Sequence, residues 1–418
     1  MSDIAASLIA HAAAHDPAVR AWRCRDDDAV LARAADLDRS APGPLTGVMA
    51  GVKDLIDTAD LPTGYGSELF DGHRPAVDAP VVAALRAAAV TVLGKTESTE
   101  FALFRPTRTR NPVDPARTPG GSSSGSAAAV AAGMAQVALG TQTAGSVVRP
   151  AAYCGVYGYK PAIGWASTEG IWRLAEHLDT VGLFARRAAD LALLHGAAAL
   201  ATAAGARPRP GRGRPAPGAV AVLDTTPWGP VTGDVDAAVR RVADRLADAG
   251  WAVEGLAMPS TWLHLPEAHE TIMAVEVARN LRAALGDRLA SASPAALAVV
   301  ARGDQTPPAA YHDALAAVAD ARRALGATAP VVDVIVCPSA PSAAPLGLDA
   351  TGDPVMCRAA TALGLPAANL PYVRRADGLP VGVQAIAPGG DDAAFLADLL
   401  AIEGAFDEAE VAPFPPGL

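Results

Sequence analysis

An α/β fold is predicted by three observations. Residues 219–223, 234–249 and 251–253 read as strand, helix and strand in succession, the pattern that builds a sheet with helices packed on it. The same order occurs earlier, where a helical segment over 79–89 leads into the short apolar run 90–93. Of the 418 residues, 51% are hydrophobic and 19% charged, a balance that suits a chain with a large buried interior. Length alone admits one large domain or two.

From residue 2 to about 35 the spacing of Ala, Leu and Val predicts helix, and Pro42-Gly43-Pro44 closes it. Val48-Met49-Ala50-Gly51-Val52 then reads as a strand, with Lys53 at its end. Pro80 stands near the start of the 79–89 helix, where proline is tolerated, and Val81, Val82, Leu85 and Ala88 share one face. Gly94-Lys95-Thr96 closes the strand that follows. Small residues over 124–132 predict a short helix ended by Gly133, and Val137-Ala138-Leu139 predicts a strand. The Pro, Gly and Arg rich stretch over about 205–218 cannot build a core and is expected to be an exposed connection. Beyond it, Val235, Val239, Val242 and Leu246 line one helical face, and residues 331–336 predict a buried strand ending at Pro338. Gly382-Val383-Gln384-Ala385-Ile386 leads through a Pro-Gly-Gly-Asp turn to a last helix near 393–400. No internal repeat of solenoid period is present.

The net charge of −10 argues against a nucleic-acid or anionic-membrane partner and for a small-molecule one. Cys24, Cys154, Cys337 and Cys357 are scattered without C-x-x-C spacing, so neither a disulfide framework nor a zinc site is expected, and a reducing cytoplasm fits. The N-terminal segment lacks a basic stretch followed by a long apolar one, so no secretory signal is expected. His11 and His15 share a helical face without a third ligand, and His264 and His269 lack metal-ligand spacing; no metal is called for.

Between Thr118 and Val148 there is no charged residue, and two small-residue clusters stand there: Gly120 to Ser126, and Gly140 to Ser146. Small side chains let backbone N–H groups converge, and the serines add hydroxyls, the ingredients of acyl transfer. Of 34 basic residues only Lys53, Lys95 and Lys160 are lysines. Arginine cannot be deprotonated in a protein whereas a buried lysine can, so each lysine is a candidate base. Lys53, beside apolar Val52 and Leu55, is the one placed to activate a serine. On composition alone, a solvent-facing lysine and ordinary Gly/Ser turns remain the competing interpretation. Tyr65, Phe101, Phe104, Trp165 and Trp172 are candidate pocket walls, or simply core.

The run from Gly120 to Gly133 and the run from Ala138 to Gly155 resemble the amidase signature of the amidase signature family. The likeness extends to Gly51-Val52-Lys53-Asp54-Leu55-Ile56-Asp57, Gly94-Lys95-Thr96, Gly158-Tyr159-Lys160-Pro161, Leu363 to Ala367 and Gly378 to Gln384. It is weakest between about 200 and 330. The resemblance implies one large α/β domain over 1–418, with a central twisted mixed sheet flanked by helices on both faces and a signature core over about 45–200.

It also implies roles. Lys53 would be the general base, Ser122 a relay preceded by a cis peptide bond, and Ser146 the nucleophile. The N–H groups of Thr143, Ala144, Gly145 and Ser146 would form the oxyanion hole, with Ser123 in support. Lys95 and Lys160 would be structural. Gln142 stands where many members carry aspartate and Ala144 where many carry glycine, a form that resembles the malonamidase branch. There Arg149 would contact a substrate carboxylate, with Gln142 beside the substrate, unless Arg149 pairs with a structural carboxylate instead. The implied activity is a cofactor-free, cytoplasmic amidohydrolase of a small, carboxylate-bearing amide, with a homodimer left open. Two alternatives stand: the glutamine-hydrolysing subunit of a tRNA-dependent amidotransferase, and a catalytically silent binding protein of the same fold.

Overall fold

The computed structural model describes residues 1–202, 217–328 and 332–407. Most of the stretch expected to be an exposed connection therefore lies outside the described residues. Eleven strands among those described form one sheet: β1 (Trp22–Arg25), β2 (Met49–Lys53), β3 (Thr91–Thr96), β4 (Val137–Gln142), β5 (Tyr157–Lys160), β6 (Thr180–Ala185), β7 (Ala219–Leu223), β8 (Ala252–Leu256), β9 (Val334–Pro338), β10 (Ala367–Arg374) and β11 (Pro380–Ile386). Their order is β1-β3-β2-β4-β6-β5-β10-β11-β9-β7-β8. The sheet is mixed: β2 runs parallel to β3 and β4, β7 runs parallel to β8 and β9, and the remaining neighbours are antiparallel.

Twelve α-helices among the described residues surround it: α1 (Ser2–Val19), α2 (Asp27–Asp38), α3 (Pro80–Ala87), α4 (Ser124–Ala131), α5 (Val148–Cys154), α6 (Ala188–Thr202), α7 (Gly233–Asp248), α8 (Leu265–Leu285), α9 (Pro294–Gln305), α10 (Pro308–Thr328), α11 (Val355–Ala362) and α12 (Asp392–Glu403). Alternation along the strands divides the interior in two. In β9, Val334 and Val336 join one core with α3, α6, α7 and α12, while Ile335 and Cys337 join another with α8 to α11. Helices thus cover both faces, as a sheet with parallel strands requires.

The N-terminal segment differs from the single long helix its alanine spacing predicts. The chain turns at Arg20, in the left-handed conformation, and Trp22-Arg23-Cys24-Arg25 pairs along β3 before α2 begins at its Asp26 cap. Tertiary pairing at a sheet edge overrides local helical preference there. The α7 prediction holds: Val235, Ala238, Val239, Val242 and Leu246 are all buried.

The charge-free run is interior structure. All eight residues of α4 are buried, and a Cβ on Gly125 would lie 2.2 Å from Ala21 O and 2.3 Å from Glu97 N, so only glycine lets that helix approach β1 and β3. Among the described residues no helix is long and apolar enough to cross a membrane.

Candidate active site

In an open α/β sheet, ligands bind beyond the carboxyl ends of parallel strands. β2 and β4 are parallel neighbours, Val52 facing Leu139, so both carboxyl ends emerge together. Lys53 is the last residue of β2; the end of β4 runs into residues 143–147 and then α5. The loop before α4 carries Ser122, and the Gly121–Ser122 peptide is cis.

These elements bring Lys53 and Ser122 into contact. Lys53 Nζ lies 2.7 Å from Ser122 Oγ, 2.7 Å from Thr141 Oγ1 and 3.3 Å from Thr141 O. Lys53 is wholly buried, and burial drives its pKa well below the ordinary 10.5, outweighing the opposing charge of Asp179. A neutral amine is what a base must be. Ser146 is buried one loop away and makes no hydrogen bond to Ser122 among the described residues; such contacts often tighten only with substrate bound. Ser123 Oγ lies 3.3 Å from Thr141 O and 3.4 Å from Thr141 N, steadying the strand end against which Lys53 rests.

The amides of Thr143, Ala144, Gly145 and Ser146 donate to no acceptor among the described residues, although Ala144 and Ser146 are buried. Four successive unused N–H groups in a protein interior call for a ligand, since nearly all buried amides are paired. The methyl of Ala144 is accommodated because its φ is not positive. Gln142 has a different place from the one expected. Its Oε1 accepts from Val147 N at 2.8 Å and Val148 N at 3.0 Å, and its Nε2 donates to Thr361 Oγ1 at 3.0 Å. A side chain so committed braces the turn after Ser146 and starts α5, rather than facing a substrate.

Arg149 is buried and meets no carboxylate among the described residues. Its Nη2 donates to Gly121 O at 2.6 Å and to Thr351 Oγ1 at 3.3 Å, while Nε and Nη1 have no partner among the described residues. The other two lysines are wholly buried and serve neutral oxygens: Lys95 reaches the main-chain Ile56 O and, at 2.8 Å, the Thr63 hydroxyl, and Lys160 reaches the main-chain Pro161 O at 2.8 Å.

A cavity of about 190 Å³ opens beside this machinery, lined by Thr141, Thr143, Trp172, Arg173, Glu176 and Asp179 among others. Its aromatic wall is a cluster: Trp172 stacks on Phe101 at 4.7 Å between centroids and tilts against Tyr65 at 4.8 Å. Trp165 instead stacks on His195, and Phe104 is exposed. Sequence reasoning missed Thr141 and Asp179. Asp179 Oδ1 accepts from Thr143 Oγ1 at 2.6 Å, its Oδ2 accepts from Leu174 N and Ala175 N, and burial pushes its carboxyl up to about 6. Among the described residues no three His, Cys, Asp or Glu side chains form a metal-binding group.

The Amidase family model matches residues 3–396. A chloroplastic/mitochondrial glutamyl-tRNA(Gln) amidotransferase polypeptide of Zea mays, the A component of that enzyme, is 35% identical over 309 residues, covering 67% of this chain and 57% of that protein. The corresponding component from Thermus thermophilus is 35% identical over 417 residues, covering 88% and 87%. These curated relatives are thus amidotransferase components rather than malonamidases. Among solved structures, a vestigial protein complex described as revealing the evolutionary origins of an s-triazine catabolic enzyme superposes with a TM-score of 0.87 at 26% identity, over 99% of this chain and 96% of that one. 6-Aminohexanoate cyclic dimer hydrolase, complexed with substrate, gives 0.83 at 27%, over 99% and 95%. On a family match spanning nearly all its residues, the chain belongs to the amidase family, enzymes acting on C–N amide bonds.

Proposed function

We propose that this chain hydrolyses a carboxamide through an acyl-enzyme on Ser146. Ser146 Oγ attacks the amide carbonyl while its proton passes through the Ser122 hydroxyl to neutral Lys53. The oxyanion faces the free N–H groups of residues 143–146, where one lost donor typically costs about a hundredfold in rate. Lys53 returns the proton by the same path to the leaving nitrogen, the C–N bond breaks, and water repeats the cycle to release the acid. The observation that carries this reading is the 2.7 Å contact between wholly buried Lys53 and Ser122. Intact Lys53, Ser122 and Ser146 weigh against a silent binding protein.

For the substrate, the two nitrogens of buried Arg149 that have no partner among the described residues favour an amide that also bears a carboxylate. Glutamine and malonamate both qualify. The similarity to amidotransferase components over most of the chain supports the first, a glutamine-hydrolysing polypeptide working with a partner protein, over the malonamate-like reading. L-Glutamine, malonamate and propionamide, offered to wild type and to Arg149→Met, test this. Preference for the two carboxylate-bearing amides, lost in the variant, is expected; unchanged selectivity contradicts the arginine's role. Glutaminase activity that appears only in a copurified hetero-oligomer would identify the amidotransferase form. Turnover of malonamate by the chain alone would favour the other.

A further inference from the structure

Four free amides in a row need something to hold them in place, and the holding groups come from far away in sequence. Thr143 is gripped twice: its hydroxyl donates to Asp179, and its carbonyl accepts from His269 Nε2 at 2.7 Å. The next carbonyl, that of Ala144, accepts from Thr361 Oγ1 at 2.8 Å. In a trans peptide the C=O of one residue and the N–H of the next point in opposite directions. The 143–144 and 144–145 peptides are trans. Anchoring Thr143 O on α8 therefore turns Ala144 N–H away from α8, and anchoring Ala144 O on Thr361 turns Gly145 N–H away from α11. Neither amide has an acceptor among the described residues.

We infer that His269 is a positioning residue for the oxyanion loop, aiming the Ala144 amide by holding the Thr143 carbonyl. This rests on the acyl-enzyme reading above. A carbonyl only accepts, so the proton is on Nε2, and Nδ1 is left buried without a partner among the described residues. A histidine that leaves one ring nitrogen unsatisfied is poor filling for an apolar core, where a leucine would cost less. Its single bond to Thr143 O is what the ring contributes there. Burial pushes its pKa down to about 4, so the ring is neutral and adds no charge beside the oxyanion loop.

The rest of α8 fits the same role. His269, Glu276 and Asn280 recur at i, i+7 and i+11, one face of the helix. Glu276 accepts from His177 and from Tyr311 Oη at 2.7 Å, and Asn280 Nδ2 donates to Leu174 O at 3.0 Å. One helix face thus ties down both the oxyanion loop and the 174–177 wall of the cavity. It does so from the part of the chain where the signature likeness is weakest.

The test compares His269→Leu, His269→Asn and His269→Gln with wild type, using an alkyl fluorophosphonate on the full chain. The labelling rate at saturation and the concentration for half-saturation are read separately, with phenylboronic acid as a tetrahedral mimic. His269→Leu is expected to lower the saturating rate about tenfold to hundredfold, to weaken the boronate in parallel, and to leave half-saturation within about twofold. Gln, whose amide nitrogen reaches as far as Nε2, should recover most of the rate, and the shorter Asn should not. Equal rates for Asn and Gln, or a Leu variant at wild-type rate, overturn the proposal, and the Asn and Gln pair decides if Leu fails to fold. A folded wild type unlabelled at Ser146 overturns the acyl-enzyme reading and this proposal with it; a labelled wild type with indifferent variants overturns this proposal alone.

Discussion

Lys53 Nζ sits 2.7 Å from Ser122 Oγ and equally close to Thr141 Oγ1, with no carboxylate among its hydrogen-bond partners. A cation there would be costly, and that cost is what keeps the amine unprotonated. Lys53→Met should fold and lose activity by at least about a thousandfold, because a thioether cannot take a proton. The wild-type rate should fall as pH drops and Lys53 becomes charged. Stability should show the matching linkage. The native pKa lies below the unfolded 10.5, so the unfolded state binds the extra proton and stability rises with pH up to about 10.5. Denaturant titrations across pH should show that slope in wild type and a flatter one in Lys53→Met; identical slopes would contradict a depressed lysine.

Asp179 carries the opposite sign. Burial raises its carboxyl from 3.8 to about 6, so its contribution to stability is fully present below 3.8 and is lost as pH rises through 6. Asp179→Asn should remove that downward slope between pH 4 and 6 in urea melts. It should also lower kcat about tenfold, because asparagine has one acceptor oxygen and cannot serve both the Thr143 hydroxyl and the Leu174 and Ala175 amides. A slope unchanged from wild type would count against this account of Asp179.

Much of this was legible because the chemistry is local in sequence. The charge-free run, the scarcity of lysine and the strand ending at Lys53 are neighbours' properties, and they point to Lys53, Ser122 and Ser146; the four amides come from the family resemblance. What stayed hidden depends on distant pairing. His269 lies 126 residues from Thr143 and Thr361 lies 217 from Ala144, and no short pattern marks either. Gln142 reads as a substrate contact until the turn it caps is visible. β1 is hidden inside an alanine-rich helical pattern because a four-residue edge strand owes its existence to β3, not to its own preference.

The close packing of α4 makes Gly125 a sensitive position. Gly125→Ala places a methyl against Ala21 O and Glu97 N, both main chain and unable to swing aside. Overpacking of this kind costs about 3 kcal/mol. Chemical denaturation should show that loss, together with reduced activity because α4 carries the loop bearing Ser122. An alanine variant as stable as wild type would mean that the helix can shift.

The central claim is that Ser146 is the nucleophile and that Lys53 activates it through Ser122. Incubation of the folded chain with a fluorophosphonate, followed by peptide mass mapping, tests it most directly. A single adduct on Ser146, formed in wild type and slowed at least about a hundredfold in Lys53→Met and Ser122→Ala, is the predicted result. No adduct, an adduct on another serine, or equal labelling of Lys53→Met would contradict it.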